Sequence, residues 1–145
     1  MRAYGLVFTL MSLVIAPCVQ AQQTADSAKA LVESGVNAYI RGDAAAAVKA
    51  WLKDSAMEGN TQSLSQANIL RQIEDFYGRP QGMDLLKEVT LSSHSHLLYF
   101  SLNFEKGVAF ARFQAYRTGG GKWVMTEFKF NTDASQVLPS SLLGE

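Results

Sequence analysis

Apolar residues recur with two different periods along this chain, and the change from one to the other limits what it can fold into. Up to Tyr77 they return every three to four residues, as on one face of a helix. From Leu97 to Phe130 they alternate one by one, as on one face of a strand. Gly78 and Pro80 stand between the two blocks, where they end a helix. The first helix is predicted from Asp26 to Ile40, with Ala28, Leu31, Val32, Gly35, Ala38 and Tyr39 on one face. Gly42 then offers a left-handed stop and Asp43 an N-cap for a second helix, from Ala44 to about Ala56, with Ala47, Val48, Trp51, Leu52 and Ser55 on one side. A third helix is predicted from Ser63 to Tyr77, with Leu64, Ala67, Leu70, Ile73, Phe76 and Tyr77 inward.

The alternating half predicts a meander. With Lys106-Gly107 as turn, Glu105 faces Val108, and Phe104, Leu102, Phe100 and Leu98 meet Ala109, Ala111, Phe113 and Ala115. With Thr118 to Gly121 as loop, Arg117 faces Lys122, and Ala115, Ala111 and Ala109 meet Val124, Phe128 and Phe130. Both registers give one apolar face, in which Thr126 is the only clearly polar member. The opposite face then carries Tyr99, Ser101, Asn103, Phe110, Arg112, Gln114, Tyr116, Trp123, Met125, Glu127 and Lys129. Arg112 is expected across from Glu127 and Ser101, and Tyr116 across from Trp123. An earlier strand, roughly Lys87 to Ser93, has Val89 and Leu91 inward. Helices followed by antiparallel strands, with the helices on one sheet face, make an α+β layer design.

The chain begins with one positive charge, Arg2, before an apolar run from about Leu6 to Val19 that contains Pro17 and gives way to Gln22-Gln23-Thr24. A membrane-spanning helix needs about 20 apolar residues, so this run reads as a secretory signal peptide spanning residues 1–21, cut after Ala21. A lipoprotein anchored at Cys18 is the alternative, but Pro17 occupies the place where Gly, Ala or Ser precedes a lipid-modified cysteine. The rest, residues 22–145, is expected to be a single α+β domain in the periplasm or the secreted medium. Cys18 is the only cysteine, so the domain has no disulfide to form. Without Arg2, 12 basic residues (13 less one) stand against 13 acidic ones. A net charge of −1 does not supply the basic field that nucleic acid requires, and no second apolar run suggests a membrane span.

The helix order, the Phe76-Tyr77-Gly78 exit from the third helix and the ending Trp123-Val124-Met125-Thr126-Glu127-Phe128-Lys129-Phe130-Asn131 resemble the nuclear transport factor 2-like superfamily, whose cone-shaped fold is shared by ketosteroid isomerases. A cystatin-like arrangement has a similar layout. The resemblance implies a pocket between helices and curved sheet, and a dimer through the outer sheet face. Tyr39, Arg41-Gly42-Asp43, Ala47, Trp51, Ala56 and Gly59-Asn60 also look like one tetratricopeptide-type unit. One unit cannot bury its own face, no second copy follows, and a helical hairpin packed on a sheet explains the same residues.

The outer face is therefore the first candidate site. Tyr99, Phe110, Tyr116, Trp123 and Met125 are expected as anchors of a homodimer, or of a contact with a periplasmic protein, with Arg112 and Glu127 setting register; aromatics, Met and Arg are enriched in such patches. On the inner face Tyr39, Trp51, Phe100, Phe113 and Phe128 either line a pocket for a small apolar ligand or fill the core, and aromatic stripes are more often core. His94 and His96 would point the same way on an extended segment, but no third metal ligand accompanies them. Isomerase chemistry of the kind the resemblance implies needs a carboxylate base in the pocket, and the inner-face positions contain none. Asp84 and Glu88 precede the sheet and could reach a pocket mouth. The Gly119–Gly121 run opens a strand, not a helix, so it is no phosphate cradle. The expectation is a noncatalytic binding or interaction module with no cofactor and no metal; an enzyme of ketosteroid isomerase-like fold and a tetratricopeptide-like interaction protein are the alternatives. The stretch from Ser135 to Glu145 is either a short helix or a loose tail.

Overall fold

The computed structural model describes residues 25–144, so the expected signal peptide and Cys18 lie outside the described residues. Three helices, α1 (Ala28–Arg41), α2 (Ala44–Leu52) and α3 (Thr61–Tyr77), precede four strands, β1 (Pro80–Ser92), β2 (Ser95–Phe104), β3 (Val108–Arg117) and β4 (Trp123–Asn131). The strands form one curved, open antiparallel sheet in the order β1-β2-β3-β4. The fold is α+β, and the α1–α2 hairpin packs on a sheet where a repeat protein would stack a second hairpin.

Each of these three helices begins at a residue whose side chain takes up an unpaired backbone N–H. Ser27 accepts from Ala30 at 3.0 Å, Asp43 from Ala46 at 2.8 Å and Asn60 from Gln62 at 3.0 Å. Gly78 closes α3 in the left-handed region at φ 84, donating to the Glu74 carbonyl at 2.8 Å. Gly42 does not: it donates to the Ala38 carbonyl at 2.9 Å from φ −128. The inner stripe of α3 is narrower than its sequence period suggests. Ala67, Leu70 and Ile73 are buried, whereas Leu64 and Phe76 are 65% and 77% exposed, and at the end of the helix it is Tyr77, 6.4 Å from Phe104, that packs on the core.

The sheet departs from the expected pairing in three places. Between β2 and β3 the register is two residues from expectation: Asn103 faces Val108, Leu102 faces Ala109 and Phe100 faces Ala111. An even shift keeps every side chain on its face; Phe100 and Leu102 still meet alanines, while Leu98 meets Phe113. β1 starts at Pro80, well before Lys87, and its register with β2 breaks between Pro80 and Gly82, Leu85 and Lys87, and Thr90 and Ser92. These breaks turn Val89 outward, opposite Leu97, and leave Leu91 54% exposed, so neither is inward. Between β3 and β4 the register is also two residues from expectation on the Asn131 side, where Ala111 faces Phe130 and not Phe128; further along, Gln114 faces Glu127 but Ala115 faces Met125 and not Val124, which leaves Thr126 as an extra, unpaired residue.

The core is built around Trp51. Its ring meets Phe113, Phe128 and Phe130 at centroid distances of 5.0, 5.9 and 5.5 Å, and its Nε1 donates to the Val32 carbonyl at 2.9 Å. Gly35 lets α1 approach that ring, since a Cβ there would lie 2.0 Å from Trp51 Nε1. Gly35→Ala is expected to displace the indole and cost about 3 kcal/mol in urea unfolding, at the upper end for overpacking. Gly59→Ala, at φ 74 with nothing within 4 Å, is the control and should cost only the conformational penalty of about 1 kcal/mol. Equal costs for the two would disprove the role given to the close contact.

Candidate interaction face

The bulge at Thr126 decides which side chains reach the outer face. On the Asn131 side of it the expected alternation holds: Phe110, Arg112 and Gln114 face outward opposite Asn131, Lys129 and Glu127. Beyond it the faces exchange. Met125 lies in the core, 1% exposed, opposite Ala115, and Trp123 packs against the same core from the helix side. Val124 takes the outward place opposite Tyr116. Trp123 and Met125 are therefore not on the face expected of them, and the Tyr116–Trp123 pair does not form. Thr126, expected inward, is exposed and donates its hydroxyl to the Gln114 carbonyl at 3.1 Å. A polar residue inside an otherwise apolar alternation was the visible signal: swelling the strand by one residue lets Thr126 keep its hydroxyl bonded outside the core.

Arg112 and Glu127 do form an ion pair, through Nη2 and Oε1, although they are diagonal neighbours. Arg112 faces Lys129 and Tyr99, and Ser101 faces Phe110. Both charged side chains are partly solvated, at 34% and 42% exposure, so the pair contributes about 0–1 kcal/mol and acts more on geometry than on stability. The Nε of Arg112 is shut away from solvent with no acceptor.

The chain's own C-terminal segment occupies the middle of this face. Asn131 and Asp133 side chains accept from the backbone of Asp133 and Ser135, turning the chain back after β4 into a 3₁₀ turn (Ala134–Gln136) and a short helix, α4 (Ser140–Leu143). Val137 and Leu138 are buried there against Tyr99, with Val89, Leu97, Phe110 and Leu142 around them. Lys129 Nζ donates to the Gln136 carbonyl at 2.8 Å, which ties the segment to β4. Of the seven expected interface residues, Tyr99 is thus covered and Phe110 half-buried; Arg112 and Glu127 keep partial access, and Tyr116 is 41% exposed. The segment is ordered helix and turn, and no periodic pattern in so short a stretch could have announced it.

The inner aromatics fill the core. Trp51, Phe100 and Phe113 are at most 1% exposed, and Phe113 meets Phe100 and Phe128 at 5.9 and 6.4 Å. Tyr39 packs edge-on to Phe104 at 6.2 Å and donates its hydroxyl to the Leu70 carbonyl at 3.0 Å. Burial, then the negative charge of Glu74, pushes its ionisation well above the ordinary tyrosine range. Phe128 also borders a shallow cavity of about 210 Å3 with Leu52, Met57 and Gln66. Of the five residues expected to line a pocket, Trp51, Phe100, Phe113 and Phe128 are therefore packed together, and Tyr39 is buried against Phe104.

His94 and His96 part company. His94 sits in the β1–β2 turn beside Tyr116, with Nδ1 2.9 Å from Ser93 Oγ; His96 faces the helix side, its Nδ1 2.7 Å from Glu88 Oε1. Among the described residues no three His, Cys, Asp or Glu gather as a metal site. Asp84 and Glu88 lie within β1 on opposite faces, Asp84 accepting from Asn103 Nδ2 at 2.7 Å. The Glu88–His96 pair was missed in the sequence because it depends on the β1 register breaks.

Removing residues 134–145 should uncover Tyr99 and Phe110 while leaving the helices and sheet in place. The expected result is increased binding of a hydrophobic fluorescent dye with an unchanged far-ultraviolet circular dichroism spectrum; no increase would contradict the covering role. The chain matches no protein-family model, no curated protein and no solved structure.

Proposed function

We propose that this protein is a binding and interaction module of the nuclear transport factor 2-like class, working in the periplasm or the secreted medium and self-associating as a homodimer through its sheet. The observation that carries the reading is where uncovered apolar side chains lie. Leu85, Leu86 and Leu91 on β1, Val108 and Tyr116 on β3, and Leu143 beside the outer face are each at least 36% exposed. β1 is a 13-residue edge strand, and an edge of that length with exposed leucines is a template for pairing with another chain. Its three register breaks and the charges of Asp84, Lys87 and Glu88 restrict which partner can pair there. Arg112 and Glu127, held together on the outer face, supply the polar register mark beside Tyr116. Among the described residues no helix is long and apolar enough to cross a membrane.

A second reading, an enzyme of ketosteroid isomerase-like fold, draws on the Glu88–His96 pair. A carboxylate bonded to an imidazole is an arrangement that orients a general base, and this one lies on the helix side of the sheet. The dimer reading draws on more of the molecule.

Light scattering across a dilution series should give the mass of two chains. Tyr116→Glu and Leu91→Glu, both at exposed positions where a charge is tolerated by the folded monomer, should each shift the mass to one chain. A wild-type protein that is already monomeric at tens of micromolar overturns the proposal.

A further inference from the structure

The exchange of faces at Thr126 does more than remove Trp123 from the outer surface. It aims the indole at the gap between α1, the end of α2 and the β3–β4 hairpin, where a cavity of about 550 Å3 opens. That volume lies within the roughly 300–1,000 Å3 usual for small-molecule sites, and bulges are over-represented beside such sites because they re-aim side chains. Behind the indole stands His96, edge-on at 4.9 Å and itself tied to Glu88, so the ring is held in place.

The walls carry charge of both signs. Asp26, from the start of α1, and Lys53, from the end of α2, make no ion pair with each other or with any other group among the described residues. Both are exposed and solvated, and a ligand bearing both signs can pair with the two together. Lys122 on the hairpin pairs with Asp54 at the end of α2, joining the loop to the helices across the cavity. Asp54 sits at φ 63, the one described residue other than glycine with positive φ, a conformation that clusters at ligand clamps. The adjoining loop has more glycine than its shape demands. Only Gly121, at φ 83, needs it; a Cβ on Gly119 would meet nothing within 4 Å and one on Gly120 only Thr118 Oγ1 at 3.9 Å. Glycines without a steric reason of their own leave a loop free to move and allow another molecule to approach its backbone.

We propose that this cavity binds a free amino acid, its ammonium group at Asp26, its carboxylate at Lys53 and its side chain against Trp123. The β3–β4 loop is the flap over the bound molecule and the Asp54–Lys122 pair the latch. The pair is about two-fifths exposed at each end, and exposed pairs of this kind are weak enough to open on binding. Ser34 and Asn37, from the same face of α1, offer hydrogen bonds to a polar side chain.

The test is isothermal titration of the purified protein with each of the standard amino acids, singly. At least one should bind with one site per chain, and its N-acetyl amide, which has neither charge, should bind at least about tenfold more weakly. Asp26→Asn and Lys53→Gln, both at exposed positions, should each weaken binding about tenfold while leaving the thermal unfolding midpoint unchanged. The proposal is overturned if no amino acid binds at millimolar concentration, if the N-acetyl amide binds as well as the parent, or if neither substitution changes the affinity. Because the cavity and the outer face are separate, light scattering of the same samples keeps this result independent of the dimer.

Discussion

The contact between Trp51 and α1 is the constraint on which the rest of the structure depends. A tryptophan is the largest side chain a core can take, and it carries one N–H that must be bonded when buried. Here that group reaches the Val32 carbonyl, and the ring lies directly on Gly35. Fixing the indole fixes the spacing of α1 and α2, because one helix supplies the ring and the other the bare backbone beneath it. It also fixes where the sheet must lie, since Phe113, Phe128 and Phe130 come up from β3 and β4 to cover the other side. The small row Ala109, Ala111 and Ala115 flanks Phe113 on β3: beside that ring and those of Trp51 and β4, the neighbouring inward positions of the strand carry only a methyl group. These rings come from residues more than sixty positions away in sequence, so α1 and α2 cannot complete their packing until the last hairpin has formed.

Much of this was legible in the sequence, and the reasons for success and failure differ by residue. The three helices were readable from their apolar period and from local signals such as Asp43 and Gly78, which act on backbone within a turn of themselves; the caps Ser27 and Asn60 were passed over, with the helices expected from Asp26 and Ser63. The strands were readable because alternation survives an even shift of register; Phe100 faces the core whether it meets Phe113 or Ala111. What alternation cannot carry is an odd insertion. Thr126 broke the pattern in plain sight, yet its polarity read as a tolerated exception, and Trp123 and Met125 were placed on the wrong face in consequence. Leu64 and Phe76 failed for another reason: they keep the helical period faithfully, yet they are left exposed, because the extent of a partner surface is not written in the period of the element that covers it.

The two faces of the sheet divide the molecule's chemistry. The helix side holds the aromatic core in its middle and, where the strands run out past the helices, the polar groups Glu88, His96, Asp54 and Lys122 around Trp123. The outer side is smaller in open area than its composition implies, because Val137 and Leu138 already cover its centre. Burying two aliphatic side chains there offsets about 3 kcal/mol or more of what an open patch would cost in water. On the sheet, the apolar surface that stays in contact with solvent is displaced toward Tyr116 and the leucines of β1, at its margin.

The extra residue in β4 has a consequence for how the protein tolerates change in length. Strands ordinarily resist the loss of one residue, because everything on one side of the deletion turns over. In β4 the insertion has in effect already happened, and excising Thr126 would restore an unbroken ladder with Gln114 and Ala115 facing consecutive partners. The backbone would gain regularity while Met125 stayed opposite Ala115 and Trp123 opposite Arg117, so each would keep its present face, and only the hydroxyl bond from Thr126 to the Gln114 carbonyl would be lost. A sequence shortened at this one point would thus be better paired with the same core, whereas the loss of any paired residue of β4 would exchange the faces beyond it.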